Sequence, residues 1–172
     1  RKLGITGWHM FPYAIMTNIS AALGGMEHVA NADAVLRPAI LWNDGRTAEE
    51  VAFLNGTIGQ EKLSAWTGNI AFAGFTAPKL LWMRSHEPEL FARIAKVMLP
   101  KDYLVYKLTG VHATDYSDAS GMLLLDVAHK RWSAEMLALC GLTEAQMPQL
   151  FESFAPVGTL TADTAAALGL PQ

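Results

Sequence analysis

Cysteine is nearly absent: Cys140 stands alone among 172 residues, so no disulfide can form within the chain. It sits in the run Met136-Leu137-Ala138-Leu139-Cys140, where a thiol packs as a small apolar side chain, and a reducing, cytoplasmic setting is expected. Charge is sparse as well. Charged residues make up 17% of the chain and the formal net charge is −3, so there is no basic field to hold phosphate backbones or an anionic membrane surface. Nucleic acid is therefore not an expected partner. Long apolar runs are missing too. The stretch from Phe11 to Leu23 is interrupted by Pro12, Thr17, Asn18 and Ser20 and falls short of the roughly 20 apolar residues that cross a bilayer, so no membrane segment is expected. Neither an internal repeat nor a low-complexity tract is visible. The first residue is Arg1 and no secretory leader follows it, which suggests a segment of something longer.

The usual signatures of independent chemistry are also lacking. His9, His28, His86, His112 and His129 show no metal-ligand spacing. A Gly-x-x-x-x-Gly-Lys-Ser/Thr loop, a Gly-x-Gly-x-x-Gly turn and a Gly-x-Ser-x-Gly elbow are all missing. Asp115, Asp118 and Asp126 lie beside Ser and Gly, where short polar side chains satisfy turn and cap groups, and they are read as turn and cap formers rather than as acid–base pairs.

What is present is an alternation of strands and helices. Half the residues are hydrophobic (51%), enough for a buried core of one domain. Lys2 to Thr6 reads as a short strand, and Ala39-Ile40-Leu41-Trp42 as a strand buried on both faces, stopped by Asn43-Asp44-Gly45. Thr47 and Glu50 have capping-box spacing, which predicts a helix over Thr47 to Leu54 ended by Asn55-Gly56. Further helices are expected from Gln60 to Trp66, from Pro78 as first helical residue to Ser85, over Glu89 to Ala95 beyond Pro88, and over Asp102 to Leu108 before Gly110. Trp82 is expected on the core side of its helix. Val97-Met98-Leu99 is a strand candidate. Ser133 and Gly141 frame another helix, Thr143 and Gln146 repeat the capping-box spacing, and Pro156 to Leu160 is extended before an alanine run capped by Thr161. The mixture is of the α/β class.

Four segments, in order, resemble the FGGY carbohydrate kinases, most closely the xylulokinase branch. They are Val35-Leu36-Arg37-Pro38-Ala39-Ile40-Leu41-Trp42-Asn43-Asp44-Gly45-Arg46; Gly74-Phe75-Thr76-Ala77-Pro78-Lys79-Leu80-Leu81-Trp82, with Ser85 departing from the family signature; Val97 to Leu104 through Gly110; and Thr114-Asp115-Tyr116-Ser117-Asp118-Ala119-Ser120-Gly121 with Leu125-Asp126-Val127 and Trp132 behind it. The resemblance implies an α/β, ribonuclease H-like (actin-like ATPase) domain, present in part. On it, residues 1–172 are part of the N-terminal sugar-binding domain, with residues 8–33 atypical, and sugar and Mg-ATP bind in a cleft between two such domains.

The implied activity is transfer of the ATP γ-phosphate to a sugar hydroxyl, with D-xylulose to D-xylulose 5-phosphate as the expected reaction. ATP and Mg²⁺ are cofactors of the full-length relatives, and the parts that bind them are largely outside this chain. A kinase for another polyol or sugar acid, or a non-catalytic remnant, stays open, as does a homodimer. No residue matches the family's catalytic Asp motif, so no catalytic residue is named and the cofactor-binding residues are unknown. The substrate-binding residues implied are Trp42 as an apolar wall and Asn43 and Asp44 at a strand end, where open α/β sheets bind ligands. The plainer alternative makes Trp42 core and Asn43-Asp44-Gly45 a turn. His9 and Met10 are the preferred counterparts of a family Met-His pair, in exchanged order. Gly24-Gly25-Met26-Glu27-His28 offers a second register.

Overall fold

In the computed structural model, which describes residues 16–19 and 34–172, strands and helices alternate along the chain. The expected strand at Lys2 to Thr6 lies outside the described residues. The strands are β1 (Met16–Ile19), β2 (Ala34–Val35), β3 (Lys96–Met98), β4 (Ala113–Asp115), β5 (Leu125–Asp126), β6 (Arg131–Trp132) and β7 (Gln149–Phe151). An antiparallel sheet has the order β2-β1-β3, with Asn18 opposite Val35 and Thr17 opposite Val97. A parallel pair joins β4 to β7, with Thr114 opposite Leu150, and β5 pairs antiparallel with β6.

The helices are α1 (Ala48–Ala52), α2 (Gln60–Thr67), α3 (Thr76–His86), α4 (Pro88–Phe91), α5 (Pro100–Thr109), α6 (Tyr116–Ser120), α7 (Ala134–Cys140) and α8 (Ala162–Leu168). Among the described residues no helix is long and apolar enough to cross a membrane.

The longest of them, α3, organises the rest. Seven of its residues are buried, Thr76 to Leu81 in one unbroken run and then Met83, so its first turns are enclosed on all sides. Its start is tied down by the Ala77 N–H, which donates to the Met122 carbonyl at 3.0 Å. Leu80, Leu81 and Met83 join a core that includes Leu54, Leu63, Leu99, Met136 and Cys140. Trp82 packs against this core while remaining partly accessible, so it is a half-buried boundary residue rather than an enclosed one. The buried run Met122-Leu123-Leu124-Leu125 closes the core from the other side, and Leu123 takes a left-handed φ of 59° to do so.

Several caps are where the sequence places them. Ser133 accepts from the Met136 N–H and Gly141 closes α7 in the left-handed conformation; Gly110 closes α5 in the same way; Thr161 caps α8. Thr143 and Gln146 form their capping box around a single 3-10 turn, Glu144–Gln146.

Other boundaries differ, each for a local reason. The helix expected from Thr47 starts with a 3-10 turn, Gly45–Thr47, capped by Asp44, and the Thr47 hydroxyl donates to the Ala73 carbonyl instead of capping. Asn55-Gly56 does not end it. A π-helical segment, Phe53–Gly59, runs on to α2, and the Asn55 side chain pairs with the Ala71 backbone in both directions, at 2.9 and 3.0 Å. The helix expected to start at Pro78 starts at Thr76, which leaves Pro78 still within the first turn, where no N–H is missed. Beyond Pro88 only α4 forms, where a helix was expected to Ala95. The buried strand expected over residues 39–42 shrinks to a single bridge at Ile40. Leu41 and Trp42 are 44% and 45% exposed, because Asp44 turns the chain immediately afterwards.

Candidate functional site

The segment Trp42-Asn43-Asp44-Gly45-Arg46 forms a rim. The Asp44 N–H donates to the Leu41 carbonyl at 3.2 Å, closing a tight turn that leaves the Trp42 and Asn43 side chains exposed. Both oxygens of the Asp44 carboxylate are engaged by Arg46. Oδ1 accepts from the Arg46 backbone N–H and from Nε, each at 3.0 Å, while Oδ2 accepts from Nε at 3.0 Å and from Nη2 at 2.8 Å. The Arg46 side chain holds this carboxyl below the usual carboxylate range.

A second wall, residues 71–75, stands against the first. The Asn55 amide grips it at Ala71 and the Thr47 hydroxyl at Ala73, and a turn closes it from the Phe75 N–H to the Phe72 carbonyl. Phe72 is 51% exposed and meets Phe75 edge to face at 5.3 Å. Gly74 is needed for the approach of the two walls: a Cβ there would lie 3.1 Å from the Trp42 carbonyl oxygen, tighter than most real contacts. Beneath them lies Lys79 of α3. Its side chain is fully buried, and Nζ donates to the Gly74 carbonyl at 2.7 Å. Loss of hydration pushes its pKa down to about 8, with the Asp44 charge acting in the opposite direction.

The two walls thus form a rim whose Trp42, Asn43 and Phe72 side chains are exposed. Two grooves, of about 460 and 280 Å³, lie elsewhere, and neither is lined by residues 42–46. The smaller one contains the Asp/Ser-rich turn. There Lys101 Nζ lies 2.8 Å from Asp102, 3.1 Å from Asp115 and 3.4 Å from Asp118. Asp102 is buried and accepts from the Leu99 N–H, and Asp115 caps α6. Asp126 accepts from the His129 N–H in the turn between β5 and β6. Asp102 and Asp115 act as helix caps and Asp126 as a turn former, as their neighbours in the sequence suggest, whereas Asp118 pairs with Lys101.

Of the sequence-derived site residues, Trp42, Asn43 and Asp44 stand together on the rim, with Asp44 turned inward onto Arg46. His9 and Met10 lie outside the described residues. Four participants are not evident from the sequence: Asn55, Gly74, Lys79 and the clamp made by Arg46. The one available signal was Lys79, a lone charge in the apolar run Pro78-Lys79-Leu80-Leu81 that can be buried only with a partner.

The chain is 52% identical to the xylulose kinase of Escherichia coli (strain K12) over 136 residues, covering 79% of this chain and 28% of that protein. It is 45% identical to the xylulose kinase of Bacillus subtilis (strain 168) over 136 residues, covering 79% and 27%. The chain thus spans less than a third of the length of these relatives. Among solved structures, a "xyloylose kinase" from Brucella ovis superposes with a TM-score of 0.81 at 46% identity, over 93% of this chain and 30% of that one. A gluconate kinase from Lactobacillus acidophilus reaches 0.80 at 21% identity, over 92% and 30%, a likeness of fold alone. These neighbours are sugar kinases of the actin-like ATPase fold, so the described α/β architecture is part of that fold. Residues 15–172 match the N-terminal domain of the FGGY family of carbohydrate kinases, and the chain belongs to that family.

Proposed function

We propose that this chain is the sugar-side part of an ATP-dependent kinase that phosphorylates D-xylulose to D-xylulose 5-phosphate, with residues 1–172 belonging to its N-terminal sugar-binding domain. The observation that carries this reading is the 52% identity to a xylulose kinase, across a region that includes most of the described residues. In such a reaction a base removes the proton of a sugar hydroxyl, whose oxygen bonds to the γ-phosphorus as the bond to the ADP oxygen breaks. No residue of this chain is assigned as that base. No residue of this chain is assigned to Mg²⁺ or ATP.

What the chain contributes is orientation of the sugar. Trp42 offers an apolar face to the sugar carbons and the Asn43 amide bonds hydroxyls. Asp44 either bonds a hydroxyl or fixes the turn that presents the other two. His9 and Met10 are assigned to the sugar as well, by their resemblance to the family's Met-His pair alone. A cytoplasmic setting belongs to this proposal, supported by the single buried thiol.

The test is ADP release by the complete reading frame that carries this sequence, with D-xylulose, other polyols and sugar acids compared by kcat/KM. Turnover is expected to be highest with D-xylulose. A higher kcat/KM for another sugar, or no sugar-dependent turnover by folded protein, contradicts the reading.

A further inference from the structure

We propose that Arg46 is a positioning residue for the sugar rim, anchored to α3 by Trp82, and that Asp44 acts through Arg46 rather than by touching the sugar. The proposal rests on the kinase reading above and assigns residues that reading leaves open.

The first observation is acceptor capacity. An ionised carboxylate has about four lone-pair sites. At Asp44 three hydrogens of Arg46 engage the two oxygens: the backbone N–H on Oδ1, an Nη2 hydrogen on Oδ2, and the single Nε hydrogen shared between both. A sugar hydroxyl would have to compete with these charge-assisted bonds for the little acceptor capacity that is left. Asn43, beside it, is exposed.

The second observation is where the guanidinium lies. Its central carbon is 4.7 Å from the centroid of the Trp82 ring, within cation–π range. The indole is itself held. His86 stacks on it at 4.6 Å with an interplanar angle of 9°, the His86 Nδ1 is 3.0 Å from the Trp82 carbonyl, and the ring packs against the core. Arg37 approaches the same ring at 5.9 Å while paired with Glu87 at 2.6 Å. A chain of contacts therefore runs from the core through Trp82 and Arg46 to the Asp44 carboxylate and the turn that carries Trp42 and Asn43. Lys79, three residues before Trp82 on α3, holds the opposite wall at Gly74. Both walls of the rim are thus anchored to one buried helix.

Exposed ion pairs are ordinarily weak. This one differs because the planar fork engages both oxygens while lying over an indole, which an ammonium cannot reproduce. The decisive substitution is therefore Arg46→Lys, which keeps the charge and removes the fork.

The experiment is a double-mutant cycle of Asp44→Asn and Arg46→Lys in the complete reading frame, with Michaelis constants measured for D-xylulose and ATP. Each single change is expected to raise the KM for xylulose about tenfold and leave the KM for ATP unchanged, and the double variant is expected to be no worse than either. Trp82→Leu should raise the xylulose KM in the same way, and Trp82→Phe, which keeps an aromatic face, should restore most of it. Multiplying effects of Asp44→Asn and Arg46→Lys would mean that Asp44 contacts the sugar itself and would overturn the proposal. So would an unchanged xylulose KM in Arg46→Lys. If the wild type shows no xylulose turnover, it is the kinase reading that fails. The linkage is then read from thermal unfolding of the same complete protein, where the two substitutions should again be non-additive, and additive shifts in Tm would overturn it.

Discussion

A lysine with no exposed surface is costly to keep charged, and Lys79, which donates to the Gly74 carbonyl, is in that position. Its folded pKa of about 8 lies below its ordinary 10.5. Between these values the unfolded chain holds the proton more tightly than the folded one, so this site makes stability rise with pH from about 8 toward 10.5. Lys79→Met removes the titration. The wild-type melting temperature is therefore expected to rise relative to that of Lys79→Met between about pH 7.5 and pH 10, and parallel pH profiles would contradict the burial of a charged lysine here. The thiol of Cys140 is enclosed in the same core, and burial pushes its pKa up to about 12. A thiol with so little thiolate and no solvent access is inert. Cys140 is expected to react with a maleimide only as fast as the chain unfolds; rapid stoichiometric labelling of native protein would contradict this.

At the scale of elements, caps decide the short helices. α7 has seven residues and depends on Ser133, which accepts from the Met136 N–H at 3.3 Å, and on Gly141. Ser133→Ala is expected to cost about 1 kcal/mol, seen as a lower denaturant midpoint at unchanged slope, and an unchanged midpoint would mean that the cap contributes nothing. This helix was legible because its signals are local: a capping hydroxyl, an apolar face and a glycine in the left-handed conformation. Where the sequence misled, the deciding partner was distant. Asn55-Gly56 resembles a helix stop, yet Asn55 pairs with Ala71, 16 residues away, and the chain continues in π-helical form. Ala39-Ile40-Leu41-Trp42 resembles a buried strand, yet the Asp44–Arg46 clamp bends the chain so soon that two of its four residues remain exposed. Residues of the rim could be named from family resemblance, since Trp42, Asn43 and Asp44 are contiguous. Their support could not, because Trp82 and Lys79 reach the rim only once α3 is folded beneath it.

At the scale of the whole molecule, the chain spans less than a third of its xylulose kinase relatives, and the proposed function gives it only the sugar side of the reaction. Phosphoryl transfer draws most of its rate from groups positioned around the γ-phosphate, and none of those is assigned to this chain. The 172-residue chain alone is expected to show no D-xylulose-dependent ADP release above buffer, and measurable turnover in a coupled assay would place the catalytic base within it. The central claim concerns the rim of the complete enzyme, and Asn43→Ala tests it most directly, because Asn43 is exposed beside Trp42 and not committed to the Arg46 clamp. A lost hydrogen bond to an uncharged hydroxyl is worth about 0.5–1.5 kcal/mol. The KM for D-xylulose is therefore expected to rise about two- to tenfold, with the KM for ATP and the melting temperature unchanged. Equal changes in both Michaelis constants, or a loss of stability with xylulose use per folded molecule intact, would contradict the account.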